Sequence, residues 1–144
     1  SLERPWQALQ FLLRKSVPEY GKVFEEVSED KMKPGDIVLF RMTNSIGKLR
    51  SSFKHAAVYC GDGEVIHFQN RRKSKKGKVS KEGFTAMKDE RGKCQVYRKI
   101  DGINLETFRS KVRAVMNGKA KYDLCQNNCI HFALYLLDMA EFYF

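Results

Sequence analysis

The sequence lacks any apolar run near the ~18 residues that a membrane-crossing helix needs, so no transmembrane span is expected. It shows no signal peptide, because Glu3, Arg4 and Gln7 make the first turn polar. It starts at Ser1 and not at Met, which reads as a piece cut from a longer chain. No internal repeat is present. The four cysteines, at 60, 94, 125 and 129, form no CxxC pair and no zinc-ribbon spacing, and 144 residues need no disulfide framework. These absences lead us to expect a reducing, cytoplasmic setting with no cofactor and no metal. A metal site at Cys125, Cys129 and His131 is the weak exception. Acidic residues are the scarce charge, with 17 Asp and Glu against 27 Lys and Arg, so an anionic partner is expected.

What is present fits one α+β domain with a real core, since hydrophobic residues make up 42% and charged residues 31%. Residues 1–30 read as an N-terminal helical extension, with Trp6, Leu9, Leu12 and Leu13 on one stripe and Pro5 in the first turn. Residues 31–144 read as the main domain. Strands are expected over Ile37–Met42, His55–Cys60, Glu64–Gln69 and from Cys94. A helix follows Asn104 as N-cap, carries Leu105, Phe108, Val112 and Val115 on one stripe, and stops at Gly118. A last helix should run from Cys129 to about Glu141, capped by Asn128.

Much of the positive charge is concentrated in Arg71, Arg72, Lys73, Lys75, Lys76, Lys78 and Lys81. The stretch shows no apolar periodicity and reads as a solvated loop, which is its bland role. Its functional role would be a grip on a polyanion, RNA phosphates or anionic lipid heads. Few aromatics interleave, so any RNA contact would be electrostatic and sequence-tolerant.

Two of the three histidines flank Gly61-Asp62-Gly63. A two-residue loop would place His55 and His67 on opposite faces of the hairpin, because side chains alternate along a strand. A three-residue loop 61–63 puts His55, Ala57, Tyr59, Val65, His67 and Gln69 on one polar face. It leaves Ala56, Val58, Cys60, Ile66 and Phe68 on an apolar one. Gly63 suits the left-handed end of such a loop, and this register is expected. The bland alternative is a chance coincidence of two surface histidines. Cys129 would then sit in the first turn of the last helix, where the dipole and a nearby imidazolium favour thiolate. His55 would take its proton and His67 would orient His55, unless Cys129 is merely a buried, inert thiol. His131 lies about 200° around the helix from Cys129 and reads as a satisfied polar or core residue.

The segments "KPGDIVLF", "FKHAAVYCGDGEVIHF" and "NNCIHF" resemble the H-box and NC motifs of the lecithin:retinol acyltransferase-like family, which includes small phospholipase A/acyltransferases. The resemblance spans about Met32 to Leu137. It implies a permuted papain-like, NlpC/P60-related fold and a thiolate that takes an acyl group from a phospholipid ester and passes it to water or another acceptor. By motif, Cys129 matches the nucleophile, His55 the base, His67 its orienting partner and Asn128 the motif asparagine, with Tyr59 in support. The sequence departs from the family enzymes at Ile130, where they carry glutamate, and "ALYLLDMAE" replaces their arginine-tyrosine-glycine. With the lysine-rich insert, these departures make the chain similar to picornavirus 2A proteins of the H-box/NC type, as in parechoviruses, which are implicated in viral RNA replication. The expected role is therefore RNA or host-partner binding on an acyltransferase-like fold in the host cytoplasm, with replication membranes as one setting. An active Cys-His-His phospholipase A/acyltransferase is the alternative. A peptidase or amidase on the same fold ranks third.

Overall fold

A computed structural model of the chain describes residues 23–43, 49–70, 77–118 and 129–139. The expected N-terminal helix, Cys125, Asn128 and Arg71, Arg72, Lys73, Lys75 and Lys76 lie outside the described residues. Among the described residues the architecture is an α+β arrangement built on one antiparallel sheet of six strands. In chain order these are β1 (Phe24–Val27), β2 (Ile37–Thr43), β3 (Leu49–Gly61), β4 (Glu64–Asn70), β5 (Gly77–Gly83) and β6 (Cys94–Lys99). Across the sheet they run β1-β6-β2-β3-β4-β5. Helices α1 (Phe84–Arg91), α2 (Leu105–Met116) and α3 (Cys129–Leu136) cover the two faces.

Alternation in the strands separates two cores. On one face Ile37, Leu39, Ala56, Val58, Ile66 and Phe68 pack under α2 (Phe108, Val112) and α3 (Ile130, Phe132, Ala133, Leu134). On the other, Val38, Phe40, Ala57, Val65 and Val96 pack under Met87 of α1. The face expected to be polar is thus roofed by a helix. His55 and His67 are buried beneath it, at 6% and 0% exposure.

The hairpin register holds by a different device from the one expected. Gly61 pairs with Glu64, so the turn is the two residues Asp62 and Gly63, both at positive φ (53° and 76°). Tyr59 pairs with Val65 and Val58 with Ile66, so the extra residue is a bulge at Cys60. Bulge plus short turn shifts parity as a three-residue loop would, and both imidazoles remain on one face.

Three elements depart from the sequence reading. β1 falls within residues 1–30 and joins the sheet by pairing with β6, with Phe24 in the core. Lys78 and Lys81, read as part of a solvated loop, lie on β5, which pairs with β4 from Glu64–Gly83 to Asn70–Gly77. An edge strand needs only backbone partners, and lysines there block further pairing, so charge density did not exclude a strand. The last helix ends at Leu136, short of Glu141. There Asp138 turns left-handed (φ 62°) and the Met139 N–H bonds back to the Leu134 carbonyl. The helix after Asn104 forms as expected, the Asn104 side chain accepting the Thr107 N–H at 2.9 Å.

Candidate active site

β3 and β4 pair only from Val58–Ile66 to Gly61–Glu64. Beyond Val58 and Ile66 each strand stays paired with its outer neighbour alone, β3 with β2 and β4 with β5, so the sheet forks. A second bulge lies beside this fork. Phe40 pairs with His55 but Arg41 pairs with Phe53, leaving Lys54 as the inserted residue. Bulges re-aim neighbouring side chains, and here the neighbour is His55.

Side chains bridge the fork where the backbone ladder stops. His55 Nε2 and His67 Nδ1 are 2.8 Å apart, and the rings meet edge to face with centroids 5.0 Å apart. His67 Nε2 in turn lies 3.1 Å from Glu82 Oε1 and 3.1 Å from Ser80 Oγ, both on β5. Ser80 is directly opposite His67, and Glu82, two residues on, projects from the same face.

Chemistry fixes the proton order in this chain. A carboxylate can only accept, so His67 Nε2 donates to Glu82. Burial pushes the His67 pKa down even against the attraction of Glu82, so the ring is neutral at neutral pH and the contact is a hydrogen bond more than an ion pair. A neutral ring with its proton on Nε2 has a bare Nδ1, which must accept from His55 Nε2–H. His55 then presents a bare Nδ1 as its basic nitrogen. Burial first, then the positive charge of Arg91, lowers the His55 pKa to about 3. The ring is an unprotonated base throughout the neutral range.

Cys129 opens α3, which packs on β3 and β4. The backbone N–H groups of Ala56, Cys129 and Ile130 favour its thiolate. Burial nonetheless wins and raises the thiol pKa. This corrects the expectation of a favoured thiolate: the helix terminus helps, but desolvation costs more, and no imidazolium is available. Among the described residues no hydrogen bond joins the sulfur to His55. The resting pair is a neutral thiol and a neutral imidazole.

Tyr59 shares the histidine face, but its hydroxyl accepts the Gly63 N–H at 2.9 Å, a turn-holding role. His131 is half-buried on α3 and burial lowers its pKa. Lys78 and Lys81 lie on β5, Lys81 between Ser80 and Glu82 but on the opposite face, where it lines a pocket with Cys60 and Phe108. Among the described residues no cluster of three or more His, Cys, Asp or Glu gathers to hold a metal, and no helix is long and apolar enough to cross a membrane. Sequence reading missed Glu82 and Ser80, because nothing local marks β5 as the neighbour of β4. The available signal was spacing, since a hairpin partner for His67 must come from the next strand.

The family described as lecithin retinol acyltransferase matches residues 30–139, about three quarters of the sequence. A gamma-DL-glutamyl hydrolase of Bacillus subtilis (strain 168) is 36% identical over 55 residues, which cover 38% of this chain and 13% of that protein. The chain therefore spans only a small part of that relative's length. On the family match, this chain belongs to the lecithin retinol acyltransferase family.

Proposed function

We propose that the chain carries out thiol-based acyl transfer at Cys129, on a permuted papain-like arrangement, with a lipid ester as the substrate class. The observation that supports it most is the Glu82–His67–His55 relay, which leaves the Nδ1 nitrogen of a buried His55 bare as a base. Cys129 packs against the core on the α3 face, while His55 shares its face with Ala57 and Val65; in this reading the thiol and the imidazole meet during the reaction through the fork. As the sulfur attacks the acyl carbonyl, its proton passes to His55 Nδ1. Collapse of the tetrahedral intermediate breaks the ester bond, and His55 returns the proton to the departing alcohol. Water or another acceptor, deprotonated by His55 in the same way, then attacks the acyl-cysteine and releases the thiol. A hydrolase among the similar proteins favours water as one acceptor. Incubation with a short-chain activated ester should leave one acyl group, mapped by peptide mass spectrometry to Cys129 and absent from Cys60 and Cys94. Burial raises the pKa of all three thiols, Cys60 to about 11 and Cys94 to about 12, but Cys60 contacts the Val58 carbonyl and Cys94 the Glu29 carboxylate, neither of them an imidazole base. Acylation spread evenly over the three thiols would end this reading.

A second reading is favoured by a separate feature. Lys81 of β5 and Arg109 and Arg113 of α2 line one pocket of about 210 Å³ with Cys60, Phe108 and Val112. With a formal charge of +10 and the seven basic residues of the sequence stretch 71–81, this supports polyanion binding, the role implied by the resemblance to viral 2A proteins active in RNA replication. RNA affinity should fall steeply with salt, with a slope of about −0.7 per phosphate contact. Replacing Arg72, Lys73, Lys75 and Lys76 with Ser should flatten that slope, while Cys129→Ser leaves it unchanged. An unaltered slope in the fourfold variant would rule out the basic stretch as the RNA grip.

A further inference from the structure

Arg91 is a cation at the relay that the acyl-transfer steps above do not use. It is the last residue of α1, and Phe84, Met87 and Arg91 fall at positions i, i+3 and i+7 on one helical stripe. Met87 on that stripe is fully buried against the sheet face that bears His55 and His67. Arg91 is thus directed at the same face. Its Nε is buried and has no hydrogen-bond partner among the described residues. Its positive charge also acts on His55, His67 and Cys129, lowering the pKa of each. A helix C-terminus alone accounts for a surface cation such as Lys88, which pairs with Glu29 at 2.6 Å. It does not account for a buried donor left without an acceptor, an arrangement that folded proteins avoid because the lost hydrogen bonds to water are not replaced.

We propose that Arg91 is a substrate-recognition residue that binds an anionic group, phosphate or carboxylate, carried by the acyl substrate next to the bond cleaved at Cys129. The inference rests on the acyl-transfer reading. A guanidinium fork suits either anion, since both offer paired oxygens to two parallel N–H donors. The missing acceptor for Nε is then supplied by the substrate, and neutral esters lose that contact. Holding the anion there also fixes the scissile carbonyl relative to the fork between β3 and β4.

The test separates binding from chemistry. A Cys129→Ala chain, which cannot be acylated, is titrated with dihexanoylphosphatidylcholine below its micelle concentration as the phosphodiester probe. N-hexanoylglutamate serves as the carboxylate probe and dihexanoylglycerol as the neutral control, with the His55 and His67 imidazole resonances as readout. At least one anionic probe should bind saturably, about tenfold more weakly after Arg91→Met and severalfold more weakly after Arg91→Lys. The neutral control should bind equally to all three. Whichever anionic probe shows the Arg91 dependence identifies the source of the anion. Equal affinity in the parent and Arg91 chains, no saturable anion binding at all, or an equal loss for the neutral control overturns the proposal. Should Arg91→Met fail to fold, the Arg91→Lys comparison decides. Absent acylation with Arg91-dependent anion binding would instead refute the acyl-transfer reading and leave an anion site in place.

Discussion

Asp36→Ala should cost the fold about 3 kcal/mol, the low end of what losing one partner of a buried ion pair costs. The carboxylate is 2% exposed and receives Arg98 through two parallel bonds, Nε at 2.9 Å and a terminal nitrogen at 2.8 Å. It also accepts the Lys33 N–H at 2.8 Å, closing the Lys33–Asp36 turn that launches β2. The Asp36 carbonyl in turn accepts the Tyr59 N–H, so the same residue ties β2 to the strand that bears His55. Removing the carboxylate strands a guanidinium that is only 25% exposed and keeps one carbonyl partner, Lys31. That residual access to water places the expected cost at the low end. Urea melts of wild type, Asp36→Ala, Arg98→Met and the double variant measure it. The double variant should lose clearly less than the sum of the singles, because no unpaired charge remains buried. Additive losses would show that the pair contributes nothing beyond its separate packing.

Asp36 also shows what a sequence reveals of a fold and what it hides. "KPGD" before "IVLF" marks a turn and a strand by local chemistry alone, and that turn and strand form. Its partner, Arg98, lies 62 residues away and carries no local sign of the pairing. The same contrast runs through the site. His55, His67 and Cys129 stand in motifs whose residue types announce a chemistry, and the two imidazoles meet at 2.8 Å. Glu82, Ser80 and Arg91 belong to β5 and α1, elements with weak patterns: "GKVSKEG" is dominated by charge, and "FTAMKDER" buries only Met87. Such elements form because the sheet edge and its exposed face demand a cover, a tertiary cause that periodicity cannot report. The thiol follows the same rule. Its place at a helix start is legible in sequence, whereas the burial that raises its pKa is a property of the packed fold.

Glu82→Gln should lower Cys129 acylation about 100-fold, comparable in kind to His55→Ala, for which a lost general base implies roughly 10²–10⁴. The effect arises from the choice of tautomer in the two rings. Glu82 can only accept, which sets the proton on His67 Nε2, then on His55 Nε2, and leaves His55 Nδ1 bare. An amide at 82 can donate to His67 Nε2 instead. His67 would then carry its proton on Nδ1 and donate to His55 Nε2, forcing the His55 proton onto Nδ1, where the base must be empty. The nitrogen shifts of the two imidazoles report this exchange directly, whatever the rate. In wild type the pH profile should show no limb near 6.5, because His55 takes a proton only at about 3. The rate should instead rise toward alkaline pH as the buried thiol ionises. Stability carries the matching signature. The unfolded chain protonates this histidine near 6.5 and the folded one only near 3, so the unfolded state binds more protons between them, and the fold weakens as pH falls through that window. Unchanged imidazole nitrogen shifts in Glu82→Gln, with acylation near the wild-type rate, would show that Glu82 merely packs against His67 and does not set its proton.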